Sequence, residues 1–169
     1  YEPPYGVKTL STSQMPTMIW TMNWINNQNI LPITNVVHDP IPVGTEYLAK
    51  FTDSGIDPPA GAPAGSTSAG VECTVSGKST TTLCYYEGPT AENPRGQVVW
   101  SGVLSPDYGV TDPALADNKV MITFSVTYQQ HAPVVNNTAT IDTDLNGDGD
   151  TVDTGEQQVA SANAGWVYE

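Results

Sequence analysis

Thr17-Met18-Ile19-Trp20-Thr21-Met22-Asn23-Trp24-Ile25-Asn26 decides how this chain is read. Side chains of an extended strand alternate between two faces, so Met18, Trp20, Met22 and Trp24 share one side and Ile19, Thr21, Asn23 and Ile25 the other. Four large apolar groups in one row define a core face. Ile19 and Ile25 make the opposite face partly apolar, and either another part of the same chain or a neighbouring subunit would cover it.

The same alternation recurs on both sides of this stretch. Val120, Ile122, Phe124, Val126 and Tyr128 point inward and Met121, Thr123, Ser125 and Thr127 outward. Shorter extended runs are expected at 7–12, 33–38, 46–51, 71–75, 81–86, 96–104, 134–141 and 159–168. Asp39-Pro40-Ile41-Pro42-Val43-Gly44 ends the run at 33–38, because two prolines spaced by one residue force the chain out of a sheet. Asp39 reads there as a turn residue. The small-residue stretch from Asp57 to Ser68 reads as a solvated insertion rather than a domain linker. No helix of ordinary length is expected. Eight to ten short strands with frequent turns make an all-β, Ig-like Greek-key sandwich in a single domain.

Composition agrees with that class. The chain has 169 residues, 15 Gly and 14 Pro, and only 14% of its residues are charged. Eighteen acidic residues against five basic ones give a net charge of -13. Such a surface excludes nucleic acid and anionic membranes as natural partners and favours divalent cations. No apolar run approaches the length of a membrane span. The two cysteines, Cys73 and Cys84, are expected to form a disulfide closing a hairpin, which implies an oxidising compartment. A chain starting at Tyr1 without a leader fits a signal peptide already removed. The expected location is extracellular, at the cell surface.

Thr17 to Asn26, followed by Thr34-Asn35-Val36-Val37-His38-Asp39-Pro40-Ile41-Pro42-Val43-Gly44-Thr45, forms an arrangement with a known counterpart. It resembles the Ig-like repeat of prokaryotic surface proteins called domain of unknown function eleven. Val99-Trp100-Ser101-Gly102-Val103-Leu104, the strand at 120–128 and Asn136-Asn137-Thr138-Ala139-Thr140-Ile141 look like later strands of that repeat. The likeness spans 7–141 and departs from it in the insertion at 53–95 and in the tail from Asp142. It implies an Ig-like sandwich on the cell surface, in tandem or as part of an adhesin, and no enzymatic activity.

Chemistry is concentrated in that tail. Six acidic residues fall between Asp142 and Glu156. Asp142, Asp144 and Asn146 sit at positions one, three and five of a twelve-residue calcium loop, with Gly147 at its turn. Asp148, Asp150 and Asp153 complete the ligand set, although position twelve is Asp rather than Glu and no flanking helices are evident. A register starting at Asp144 and using Asn146, Asp148 and Asp150 is also feasible. Ca2+ is the expected ion, held as a staple within 142–153.

Asn136-Asn137-Thr138 is a glycosylation acceptor triplet centred on Asn136. His38 and His131 carry no catalytic context, and no phosphate loop or nucleophile elbow occurs. Tyr85, Tyr86, Tyr108 and Trp166 are the aromatic candidates for a sugar platform. The leading expectation is a non-enzymatic subunit of an extracellular filament, a helical homopolymer of copies of itself. Residues 1–12 would be an extended donor segment preceding a domain at 13–169, with Tyr1, Tyr5, Val7, Leu10, Ile19 and Ile25 at the subunit interface. The alternatives are one repeat of an adhesin or surface-layer protein, and a calcium-stabilised carbohydrate-binding module that takes glycans.

Overall fold

Met18, Trp20, Met22 and Trp24 have no exposed surface, and the two sheets of the sandwich close around them. The structure, a computed structural model, describes residues 1–26, 29–49, 59–106, 118–129 and 132–167. In chain order its first strands are β1 (Tyr5–Gln14), β2 (Thr17–Ile25), β3 (Ile33–Pro40), β4 (Thr45–Leu48), β5 (Ser66–Thr67) and β6 (Val71–Val75). They are followed by β7 (Thr80–Glu87), β8 (Gln97–Leu104), β9 (Lys119–Tyr128), β10 (Val134–Thr143) and β11 (Ala160–Val167). Among the described residues there is no helix.

One sheet runs β1-β2-β9-β4, with β6 also paired to β9; the other runs β11-β10-β3-β8-β7-β5. All pairings are antiparallel. Trp20 stands opposite Phe124 and Met22 opposite Ile122, so the apolar rows of β2 and β9 lie side by side. Trp100, Val37, Val135, Ala139 and Ile141 from the second sheet complete the core. Side chains this large and this enclosed dominate the fold, since truncating one Trp to Ala costs about 3–5 kcal/mol in a packed core.

The expected donor segment differs from what is observed. Residues 5–14 are not a free extension; they form β1 and pair with β2 of the same chain. Lys8 stands opposite Met22 and Leu10 opposite Trp20, so β1 turns its even-numbered residues into the core. A boundary between residues 12 and 13 would therefore cut a strand. Gly6 makes this packing possible: a Cβ there would come within 2.9 Å of Ala162 on β11 and closer still to the Trp24 ring. Ahead of β1, Glu2 is held by Asn29, whose Oδ1 accepts from the Glu2 amide at 2.7 Å while its Nδ2 donates to the Glu2 carbonyl at 2.8 Å.

Two further differences are local. The solvated insertion contains β5, with Ser66 buried and paired to β7. Asp39 is not a turn residue. It lies inside β3 as a completely buried carboxyl. Parts of the expected runs at 46–51 and 159–168, together with Tyr108 and His131, lie outside the described residues.

Candidate functional site

The acidic loop connects β10 to β11, and backbone geometry decides which carboxylates meet. Asp142 and Thr143 belong to β10 rather than to the loop. Asp142 Oδ1 accepts from the Gln158 amide, and its Oδ2 lies 3.4 Å from His38 Nε2. Asp144 is used internally, accepting from Gly147 at 2.7 Å, Asp148 at 3.2 Å and Gly149 at 2.8 Å. Positive φ at Gly147 (80°) and Gly149 (100°) bends the chain around that carboxylate.

The residues that converge are Asp148, Asp150, Asp153 and Glu156, whose ligand oxygens all lie within 4.8 Å of one another. Asn146 joins them through Nδ2, which donates to Asp153 Oδ2 at 2.6 Å. Three of the six expected ligands therefore stand together, Asn146 stands beside them, and Asp142 and Asp144 serve the loop backbone. Glu156 lies outside the twelve-residue pattern that the sequence presents. It is almost wholly buried, and its carboxylate accepts from the amides of Leu145 (2.9 Å), Asn146 (3.2 Å) and Asp153 (3.1 Å). Its signal was the count of acidic residues, which extended past the twelve-residue pattern.

Crowding marks the carboxylates themselves. The Asp150 backbone amide holds Asp148 below its ordinary value, followed by a contact with Asp153. At Asp153 the Asn146 amide pulls downward, but the hydrogen bond and the charge of Asp148 outweigh it and push the group up. One carboxyl is kept ionised at the expense of its neighbour. An all-oxygen set of this kind suits a hard divalent cation such as calcium.

Cys73 and Cys84 form a disulfide with Cα atoms 6.2 Å apart. It does not close a hairpin within one sheet. Cys73 lies on β6, paired with β9, whereas Cys84 lies on β7, paired with β8, so the bond crosses between the sheets. The aromatic candidates for a sugar platform are largely engaged. Tyr85 is buried, and Tyr86 stacks on Tyr47 with ring centroids 3.8 Å apart. Trp166 meets Tyr128 edge-on at 4.9 Å. Asn136 is exposed on β10.

The expected interface residues fall in three groups. Tyr1, Tyr5 and Val7 are exposed, Ile19 and Ile25 are half-buried on the outer face of the first sheet, and Leu10 packs against the core. Register places Tyr5 beside Ile25 and Val7 beside Asn23 on that outer face, with Met121 on the far side of Asn23. Tyr5, Val7 and Met121 are 42%, 48% and 41% exposed.

A second polar cluster, not anticipated from sequence, lies in the core. Lys8 Nζ pairs with Asp39 Oδ2, and both side chains are 0% exposed. The amine lies 5.3 Å from the Trp20 ring centroid and 5.6 Å from that of Phe124. Burial pushes Lys8 down and Asp39 up, in each case against the pull of the other's charge. Asn137, buried on β10, leans toward Asp39 closely enough to favour its ionised form. Its Nδ2 donates to the Pro40 carbonyl at 3.2 Å, while Asn137 Oδ1 and Asp39 Oδ1 lack a well-formed hydrogen bond. The available signal was register: once β1 pairs with β2, the even-numbered Lys8 must face inward.

No family model matches the chain, and no curated protein matches it. Solved structures do. The collagen-binding domain from a Staphylococcus aureus adhesin is 11% identical, with 99% of each chain covered and a TM-score of 0.49. The full-length major pilin SpaD from Corynebacterium diphtheriae is 11% identical over 96% of this chain and 34% of its own, with a TM-score of 0.47. The collagen binding domain of Erysipelothrix rhusiopathiae surface protein RspB is 14% identical over 99% and 50%, with a TM-score of 0.43. At these identities and TM-scores the likeness extends no further than general architecture.

Proposed function

We propose that this chain is a non-enzymatic structural domain of the cell surface that associates with copies of itself into an extracellular fibre. The observation that carries this reading is the group of exposed apolar side chains on the outer face of the first sheet. Tyr5 and Val7 on β1 and Met121 on β9 are exposed on this face, with half-buried Ile25 of β2 beside Tyr5 and Asn23 of β2 between Val7 and Met121. Several large apolar side chains exposed on one face of a strongly acidic protein favour a contact with another protein. With β1 engaged in its own sandwich, copies meet through this face and through β11, which among the described residues pairs on one side only. Edge addition at β11 is the form of strand pairing open to such an assembly. Repetition that does not close gives a helical polymer.

Calcium belongs to the same reading, as a ligand of Asp148, Asp150, Asp153 and Glu156 that neutralises the loop beside β11. Electron microscopy of the purified chain over a concentration series, with calcium present, tests the assembly. Fibres that lengthen with concentration support it. A monomer at every concentration rejects the fibre and leaves a single adhesin domain.

A further inference from the structure

We propose that Lys8 Nζ and Asn137 Cγ are joined by an intramolecular isopeptide bond, formed with Asp39 as proton carrier and with release of ammonia. Three reactive groups gather around one carboxyl in the core: Lys8 from the first sheet pairs with Asp39 from the second, and Asn137, also from the second, lies beside Asp39. An unreacted pair of charges there is costly, because each ion loses its water. An amide carries no charge and removes that cost.

The surroundings also suit the reaction. Burial favours the neutral amine, whose lone pair is the nucleophile, and the protonated carboxyl, which is the acid. Trp20 and Phe124 wall off the amine, so water does not compete for the electrophile. Groups held this way react at effective molarities of about 10⁵–10⁸ M, enough to activate an amide that is inert in solution.

The steps balance. Protonated Asp39 donates to Asn137 Oδ1, which has no other partner among the described residues, and so polarises Cγ. Lys8 Nζ adds to Cγ. Asp39 then takes a proton from Nζ and delivers one to Nδ2, the Cγ–Nδ2 bond breaks, ammonia departs, and Oδ1 returns its proton to Asp39 as the carbonyl re-forms. One N–C bond forms and one breaks, with no change of oxidation state. The product ties β1 to β10 across the sandwich, on the side opposite the Cys73–Cys84 bond.

Intact-mass measurement of the full chain, unfolded and reduced, is the test. The expected mass lies below the sequence mass by one ammonia. Trypsin should leave Lys8 uncut and yield a branched peptide joining 1–50 to 120–169. Lys8→Arg and Asp39→Ala should each restore the full mass, and Asn137→Asp should form the same bond with loss of water. Wild-type protein at its full sequence mass overturns the proposal, a result independent of whether any variant folds. So does ammonia loss confined to an unlinked 120–169 peptide, as a succinimide at Asn146-Gly147 would give. Water loss from wild type would move the bond to Asp39 and overturn the role of Asn137. A covalent ladder of multimers would place the bond between copies and overturn its intramolecular character. The fibre reading stands or falls separately, by microscopy.

Discussion

Cys73 and Cys84 connect opposite sheets of the sandwich, β6 in one and β7 in the other. A bond between neighbouring strands of one sheet would restrain little that backbone pairing does not already hold. Between sheets it restrains the unfolded chain and also opposes separation of the two layers. Reduction, or the Cys73→Ser/Cys84→Ser variant, should cost about 2–4 kcal/mol. For a domain of this size that is a fall in Tm of roughly 4–16 °C. Thermal melts with and without reductant measure it, and coincident melts would remove the disulfide from the account of stability.

The acidic loop makes a separate prediction. If Asp148, Asp150, Asp153 and Glu156 share a cation, calcium at about a hundredfold excess over Kd adds roughly 2.7 kcal/mol. Chelation should lower Tm accordingly and expose 144–159 to proteases before the core is touched. Asp150→Asn/Asp153→Asn should abolish the response while leaving the chelated melt almost unchanged or slightly raised, because both carboxylates are exposed and repel their neighbours. Identical melts in calcium and chelator would count against the site.

The contrast between that loop and β2 shows how much the sequence could reveal. The alternation of Met18, Trp20, Met22 and Trp24 needs only strand geometry to be read, and every one of these side chains is fully buried. The ligand pattern from Asp142 onward was legible as acidic and turn-rich. Which carboxylates converge depended on β10 running through Thr143 and on the turn that swings Glu156 back beneath the loop. Cys73 and Cys84 could be paired by count, but a spacing of eleven suits a hairpin and a crossing equally. Asp39 reads as a turn residue because Asp before Pro is a common turn signal. Its meaning comes from Lys8, 31 residues away in sequence. Lone charged residues in strands are legible only once register is known.

Alkaline titration probes the insertion side of the sandwich. Burial raises Tyr85 and Tyr86 above the ordinary value of 10.0, with smaller upward pushes from Glu87 and Glu46 respectively. With the folded value above the unfolded one, the folded state retains these protons longer. Their contribution to stability is therefore complete below pH 10 and is lost as pH rises through the folded values. Phenolate absorbance should show Tyr85 and Tyr86 ionising above the ordinary tyrosine value. Tyr86→Phe should remove one late-ionising group along with the hydroxyl that donates to the Arg95 carbonyl at 2.9 Å. A single unresolved transition at the ordinary value would contradict the burial seen at both rings.

Assembly is tested most directly at Val7 and Met121. Both side chains leave the outer face of the first sheet, and neither supports the core, so charge placed there should not unfold the domain. Substitutions at such exposed positions change stability by no more than about 0.5 kcal/mol. Val7→Glu/Met121→Glu should melt within a few degrees of the parent, yet raise the concentration needed for self-association at least tenfold, since each contact would bury two uncompensated carboxylates. High salt should not rescue it, because desolvation rather than long-range repulsion sets the cost. Sedimentation or light scattering across a concentration series reads the difference. If the variant assembles like the parent, contact between copies runs elsewhere, and the outer edge of β11 becomes the place to introduce the next charge.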